Sequence, residues 1–169
     1  VQAERQKVFK VVIKGSIHDV WREITRTDAP IACFFNTRMD TPMLAAGSKL
    51  AMRTKDGRDT GVVGEILEVK PPTRFSHTFK FTRYDDPLCK VTYDLREVEG
   101  GTEFTLTIDD MPLGTKTAKE MSQGGAMITS ILKSVIETGK PSLGIRLAFW
   151  FFGLFPVPKQ CRSVHWPVR

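Results

Sequence analysis

The chain is predicted to fold as an α+β domain, a curved antiparallel β-sheet wrapped around a long C-terminal α-helix, with two short helices after the first strand. Residues 74 to 85, RFSHTFKFTRYD, place Phe75, His77, Phe79 and Phe81 on one parity and Ser76, Thr78, Lys80 and Thr82 on the other. Successive strand side chains point to opposite faces, so this period of two marks a strand with one apolar side. Residues 117 to 138, TAKEMSQGGAMITSILKSVIET, instead space Met121, Ile128, Ile131, Leu132 and Val135 as one helical stripe. The stretch from the second short helix to residue 110 carries the punctuation of an antiparallel meander: Asp56-Gly57, Pro71-Pro72, Asp85-Asp86-Pro87 and Glu99-Gly100-Gly101.

The remaining elements follow in order. KVFKVVIKG, 7 to 15, is rich in β-branched residues and reads as the first strand. Ser16 then caps a helix with Asp19 in its first turn, and Ile17, Val20, Trp21 and Ile24 recur at helical spacing. Asp28-Ala29-Pro30 predicts a second short helix through IACFF, since aspartate caps and proline is tolerated in a first turn. KLAMRT and TGVVGEILEVK give strands before the two prolines, and CKVTYDLREV and TEFTLTIDD give strands after the opening stretch. Cys89, Val91, Tyr93 and Leu95 share one parity, as do Phe104, Leu106 and Ile108, which makes one side of the meander apolar. Gly139 and Pro141 stop the long helix.

Composition narrows the function classes. A chain of 169 residues, 41% hydrophobic and 26% charged, is an ordinary globular domain with one core. The net charge of +6 is not spread evenly: residues 139 to 169 hold Lys140, Arg146, Lys159, Arg162 and Arg169 with no acid. The body is therefore nearly neutral, and nucleic-acid binding is not expected. Cys33, Cys89 and Cys161 are odd in number and far apart, which fits a reducing compartment. VQAERQKVFK has no apolar signal core, so a cytoplasmic location is expected. No stretch reaches the roughly 20 apolar residues of a spanning helix. The longest, LGIRLAFWFFGLF at 143 to 155, is 13 residues and contains Arg146.

SIHDVWREITRTD, GEILEVKPPTRFSHTF and the long helix ending in TGKP resemble the START-like SRPBCC superfamily. Within it, they are similar to the family of the C-terminal domain of the activator of the ninety-kilodalton heat-shock protein ATPase. The resemblance covers residues 7 to 140 as a helix-grip domain and leaves 141 to 169 as an aromatic, basic C-terminal extension. It implies an apolar cavity between sheet and long helix, which in many relatives holds a hydrophobic molecule, and a chaperone-related, stress-response context. It implies no single reaction. One departure matters: relatives carry a glycine and then a tryptophan within the long helix, where this chain has Gly124-Gly125. Glycine in a helix interior costs about 1 kcal/mol relative to alanine, so the pair serves either close approach of helix to sheet or room for a ligand.

The candidate ligand-binding residues are Phe75, His77, Phe79, Phe81, Tyr93, Phe104, Met121, Gly125 and Ile128, lining the sheet-helix cavity. His77 is the titratable member. It serves as a polar contact to a ligand, as a base, or as a core histidine bonded to Tyr93 or a backbone carbonyl. Glu65 and Glu68 have opposite parities, so a regular strand turns one inward, while Glu68 suits the sheet rim. Gly61 and Gly64 mark a bulge or bend. His18, His77 and His165 have no second nitrogen or sulfur ligand at useful spacing, so neither a metal nor a cofactor is expected. The leading function is noncovalent binding of an apolar or aromatic small molecule. The alternatives are a co-chaperone-like or regulatory protein-interaction module with a filled core, and a cyclase- or hydrolase-type enzyme with His77 as base.

The tail carries Phe149, Trp150, Phe151, Phe152, Phe155 and Trp166 beside five unbalanced cations. An apolar segment of this size is expected to be covered, by its own domain or by a second copy in a homodimer. A membrane surface and a partner protein are the alternatives. An interfacial helix needs a polar face, and 143 to 155 is apolar all round except for Arg146.

Overall fold

The structure, a computed structural model, describes residues 5–169. β1 (Lys7–Ile13), β2 (Arg38–Asp40), β3 (Lys49–Arg53), β4 (Thr60–Lys70), β5 (Arg74–Phe81), β6 (Cys89–Val98) and β7 (Gly101–Asp109) form one seven-stranded sheet in the order β1-β7-β6-β5-β4-β3-β2. Every pairing is antiparallel. The fold is the expected helix-grip arrangement. β1 closes on β7, the last strand in sequence, so the meander and the N-terminal strand share one core.

α1 (Ile17–Thr25) begins where its cap chemistry puts it. The Ser16 hydroxyl accepts from the Asp19 backbone N–H at 3.0 Å and donates to the Asp19 carboxylate at 2.8 Å. Its buried face is Ile17, Val20 and Ile24, the helical stripe read from spacing. The expected second helix is only a three-residue 3-10 turn, Ala32–Phe34. Phe35 and Asn36 both adopt left-handed backbone, with φ of 57° and 59°, which ends the turn before a second one can form. The chain then closes on itself through the Ile31–Thr37 bridge and enters β2, a strand too short to announce itself in sequence.

β4 and β5 are joined at the predicted Pro71-Pro72 turn, but β4 is not regular. Its register shifts between Ile66 and Glu68. At Gly64, two residues before the shift, a Cβ would strike the Thr78 carbonyl, so the glycine admits the close backbone of β5. The Glu65 backbone N–H donates to the Thr78 hydroxyl at 2.8 Å there. The bulge explains why neither glutamate takes the inward place that a regular strand would give one of them. Glu65 is exposed, and Glu68 is ion-paired at the rim with Lys70 and Arg74, so neither joins the apolar row.

α2 (Lys116–Thr138) runs from a Thr115 cap, whose hydroxyl accepts from the Ala118 N–H at 3.1 Å, to Gly139 at φ 83°. It lies chiefly against β1 and the 3-10 turn rather than centrally over the sheet. Ala118, Met121, Gly125 and Leu132 are buried, and Ile128 and Val135 are half-buried. The core is therefore a layer of Phe75, Tyr93, Phe104, Leu106 and Ile108 from the sheet, against α1 and α2.

After α2 the chain forms α3 (Leu143–Phe152) and then returns to the sheet. The last eleven residues dock on the β3–β4 hairpin. The Ser163 N–H donates to the Arg58 carbonyl at 2.8 Å, and the Gln160 amide donates to the Thr82 carbonyl at 3.2 Å. Buried Arg53 binds the Asp40 carboxylate at 2.8 Å, the Thr60 hydroxyl at 2.6 Å and the Trp166 carbonyl at 2.9 Å. That one guanidinium ties β2, β4 and the C-terminus to β3. Of the covers expected for 143 to 155, its own domain supplies only a small part. α3 has no buried residue, and only Ile145 and Phe149 rest on the core cluster. A ten-residue helix can press one stripe on the body, and here the apolar residues encircle it.

Candidate functional site

The alternation of β5 does align its aromatic side chains in one row. Ring centroids are 5.4 Å apart for Phe75 and His77, 6.5 Å for His77 and Phe79, and 4.9 Å for Phe79 and Phe81. Register sets Tyr93 of β6 opposite Phe75, and Tyr93 stacks at 5.8 Å on Phe75 and at 6.1 Å on Phe104. Phe34 from the 3-10 turn closes on Tyr93 at 5.3 Å.

His77 sits in this aromatic layer, 2% exposed, and both ring nitrogens are engaged. The Thr78 carbonyl can only accept, so Nδ1–H donates to it at 2.7 Å. Nε2 then carries the lone pair, and the Tyr93 hydroxyl donates to it at 3.3 Å. Burial lowers the imidazole pKa to about 4, against a smaller upward pull from the Thr78 carbonyl. Burial pushes the Tyr93 phenol up. The pair is thus neutral and internally satisfied near pH 7, an arrangement that orients rings and offers little general-base strength.

The other predicted residues divide into two groups. Phe75, His77, Tyr93, Phe104, Met121 and Gly125 are buried, while Phe79, Phe81 and Ile128 are half-buried. The Cys89 thiol donates to the Met121 sulfur at 3.3 Å, which ties α2 to β6. At Gly125 a Cβ would fall within the Phe9 ring, so the glycine serves close approach of helix to β1. Gly124 is different: its Cβ would meet Phe35 at an ordinary 3.5 Å.

Sequence reasoning missed Phe9, which takes the space beside Gly125, and a polar latch at the outer end of the row. Arg83 and Tyr84, following β5, both bind the Glu120 carboxylate on α2. The Arg83 guanidinium lies 5.3 Å over the Phe81 ring and 5.2 Å over the Tyr84 ring. The hydrogen bond to Glu120 raises the Tyr84 pKa above its ordinary value. Asp86 adds a second tie, accepting from the Thr117 N–H at 3.2 Å and the Thr117 hydroxyl at 2.7 Å in the first turn of α2. Arg83-Tyr84 was visible as the polar end of RFSHTFKFTRYD, but nothing local pointed to Glu120, 36 positions after Tyr84.

Among the described residues no three His, Cys, Asp or Glu side chains cluster as a metal site, and no helix is long and apolar enough to cross a membrane. A surface concavity on the outer sheet face is lined by Lys70, Arg74, Asp94, Arg96 and Glu103, whose ion pairs are solvated. It does not communicate with the aromatic row by any shared lining residue.

Comparison with solved structures agrees with the architecture. A protein from Mesorhizobium loti matches at TM-score 0.65 and 19% identity, over 79% of this chain and 97% of that one. An Hsp90 activator from Plasmodium falciparum matches at 0.63 and 17%, over 81% and 98%. The Aha1 dimer solved in solution from Colwellia psychrerythraea matches at 0.65 and 16%, over 80% and 98%. At these identities the likeness concerns the fold. Comparison with curated proteins gave no match. A family model, described as Activator of Hsp90 ATPase homolog 1-like protein, matches residues 2–137, nearly all of the sheet and the long helix that grips it. The chain belongs to that family, within the START-like SRPBCC group.

Proposed function

We propose that this protein binds an apolar or aromatic small molecule noncovalently at the Phe79–Phe81 end of the concave face, between β5 and α2, and performs no chemistry on it. The observation that carries this reading is the gradient along one strand, from fully buried Phe75 to half-buried Phe79 and Phe81. Phe79, Phe81 and Ile128 supply the contact surface. Phe75, His77, Tyr93, Phe104, Met121 and Gly125 form the packed floor beneath it. α2 leans toward β1, which leaves the β5 end less covered. The Arg83–Glu120–Tyr84 latch spans that end, and partly exposed ion pairs of this kind are worth about 0–1 kcal/mol, weak enough to open for a ligand.

Native mass spectrometry of the purified protein, paired with titration of a hydrophobic fluorescent probe, tests the proposal. A retained apolar molecule or saturable probe binding is expected. Glu120→Ala removes the latch and should strengthen probe binding by about fivefold, the release of roughly 1 kcal/mol of closure. Phe79→Ala should weaken it. No retained molecule, and no probe binding even by Glu120→Ala, would remove this reading.

A second reading, a co-chaperone-like or regulatory module with a filled core, is favoured by the tight Gly125–Phe9 approach and by the internally satisfied His77–Tyr93 pair. A ligand-free protein indifferent to the probe supports it. Structural likeness to an Hsp90 activator adds a partner class for that reading.

A further inference from the structure

α3 presents an apolar surface that the rest of the chain leaves uncovered. Leu143, Leu147, Trp150, Phe151 and Phe152 are exposed on the helix, and Leu154 and Phe155 continue the patch beyond it. Trp150 is 67% exposed and Phe152 64%. The inner stripe of Ile145, Ala148 and Phe149 is half-buried, with Ile145 and Phe149 seated on the core. This removes the objection that an interfacial helix needs a polar face of its own. The protein body occupies the inner side, and only the outer side meets a partner.

The segment is held at both ends. Upstream, the Ser134 and Thr138 hydroxyls of α2 donate to the Lys140 carbonyl at 3.0 Å each. Downstream, residues 159–169 are bound to the β3–β4 hairpin. Its apolar side chains are therefore presented in fixed positions, which lowers the ordering cost of docking.

Charge selects the occupant. Lys140, Arg146, Lys159 and Arg162 are exposed, and among the described residues none of them stands in an ion pair, whereas Arg169 pairs with Asp40. Residues 139 to 169 contain no acid. A two-fold contact between copies would bring the same cations together with nothing to offset them. An anionic bilayer offsets all of them, and tryptophan and phenylalanine favour its interfacial zone. A helix of ten residues is about 15 Å long, half the hydrocarbon thickness, so it would lie on the surface and not span.

We propose that α3 and the turn after it dock this protein on an anionic lipid surface, with Leu147, Trp150, Phe151, Leu154 and Phe155 entering the interface and the four cations meeting the headgroups. The proposal stands independently of any ligand in the interior.

Cosedimentation of the full chain with vesicles of phosphatidylcholine, and with vesicles carrying about 30 mol% phosphatidylserine, tests it. Binding to the anionic vesicles is expected, with far less to the neutral ones and partial release by high salt. Trp150→Ser/Phe155→Ser changes exposed side chains only, and should reduce partitioning at least about tenfold with an unchanged melting temperature. Arg146→Gln/Lys159→Gln leaves the apolar face intact and should reduce it by about fivefold per charge removed. This second pair keeps the test sound if the first disturbs folding. Absence of binding to anionic vesicles, or binding that neither pair reduces, overturns the proposal. So does a concentration-dependent dimer in sedimentation velocity that Trp150→Ser/Phe155→Ser dissociates, because that outcome assigns the face to a second copy.

Discussion

Acidification from about pH 6.5 to about pH 4 is expected to cost this protein on the order of 3 kcal/mol of stability through His77 alone. The imidazole is buried among aromatic rings and its folded-state pKa falls from 6.5 to about 4. Between those values the unfolded chain takes up a proton that the native state refuses, so stability falls as pH falls. The contribution is complete above 6.5 and is lost progressively toward 4. Other groups act at the margins of this window. Asp40 and Glu68 have lowered pKa values from their arginine and lysine partners, so their contributions are lost at still lower pH. Glu23 is raised by burial and acts in the opposite sense, its protonated form being favoured in the native state.

Urea denaturation of the wild type and of His77→Gln, repeated across the window, separates these contributions. His77→Gln should be less stable at neutral pH and should show a much flatter dependence on pH. Identical slopes for the two proteins would mean that His77 titrates normally, and that the aromatic row is wet in solution. The same experiment bears on catalysis. A base with a pKa of about 4 is mostly unprotonated at neutral pH but weak, and its lone pair is already held by Tyr93.

Replacing Gly125 by tryptophan is expected to destabilise the protein by roughly 1–3 kcal/mol or more. Even the first carbon of the new side chain would meet the Phe9 ring. Gly125→Ala should therefore fail to give the gain of about 1 kcal/mol that alanine usually brings to a helix interior. Gly124→Ala, whose Cβ would make ordinary contact with Phe35, should show that gain. Phe9→Ala supplies the decisive control. It opens the space beside position 125, so Phe9→Ala/Gly125→Trp should recover stability that each single change loses. Thermal melts of the four proteins check this. Additive losses in the double variant, or normal stability of Gly125→Trp, would show that α2 does not lie on β1 in the way described.

Much of the architecture was legible because it rests on local chemistry. The Ser16 cap, the Asp56-Gly57 and Gly100-Gly101 turns and the Gly139 stop each depend on a few adjacent residues whose backbone preferences are intrinsic. The β5 alternation placed four rings on one face for the same reason. The short helix after Pro30 was overestimated because its capping signal is local, while the left-handed backbone at Phe35 and Asn36 that ends it accompanies the Ile31–Thr37 closure and the approach of Phe35 to α2.

The candidate site was half legible. Its row of rings followed from periodicity, and a core His77 bonded to Tyr93 or a backbone carbonyl was one of three readings that the sequence left open; the structure shows both bonds. Which use Gly124-Gly125 serves was open to sequence reasoning, because the answer depends on Phe9, more than a hundred residues away in the chain. Glu68 lies at the rim, as its place before the two prolines suggested, and the inward turn that a regular strand would have required is absent for a related reason. A bulge between Ile66 and Glu68, opposite His77 and Ser76, reset the parity of β4, and a bulge belongs to a pair of strands and not to either one. The exposure of α3 is of the same kind. Hydrophobicity demands cover, but the identity of the cover depends on which surfaces the completed fold still has free, and the Ile145–Phe149 stripe is all that this body can accept. Periodicity, caps and turns are short-range energies that a linear chain displays. Packing partners, strand register and unfilled surface are properties of contacts that exist only once distant segments have met.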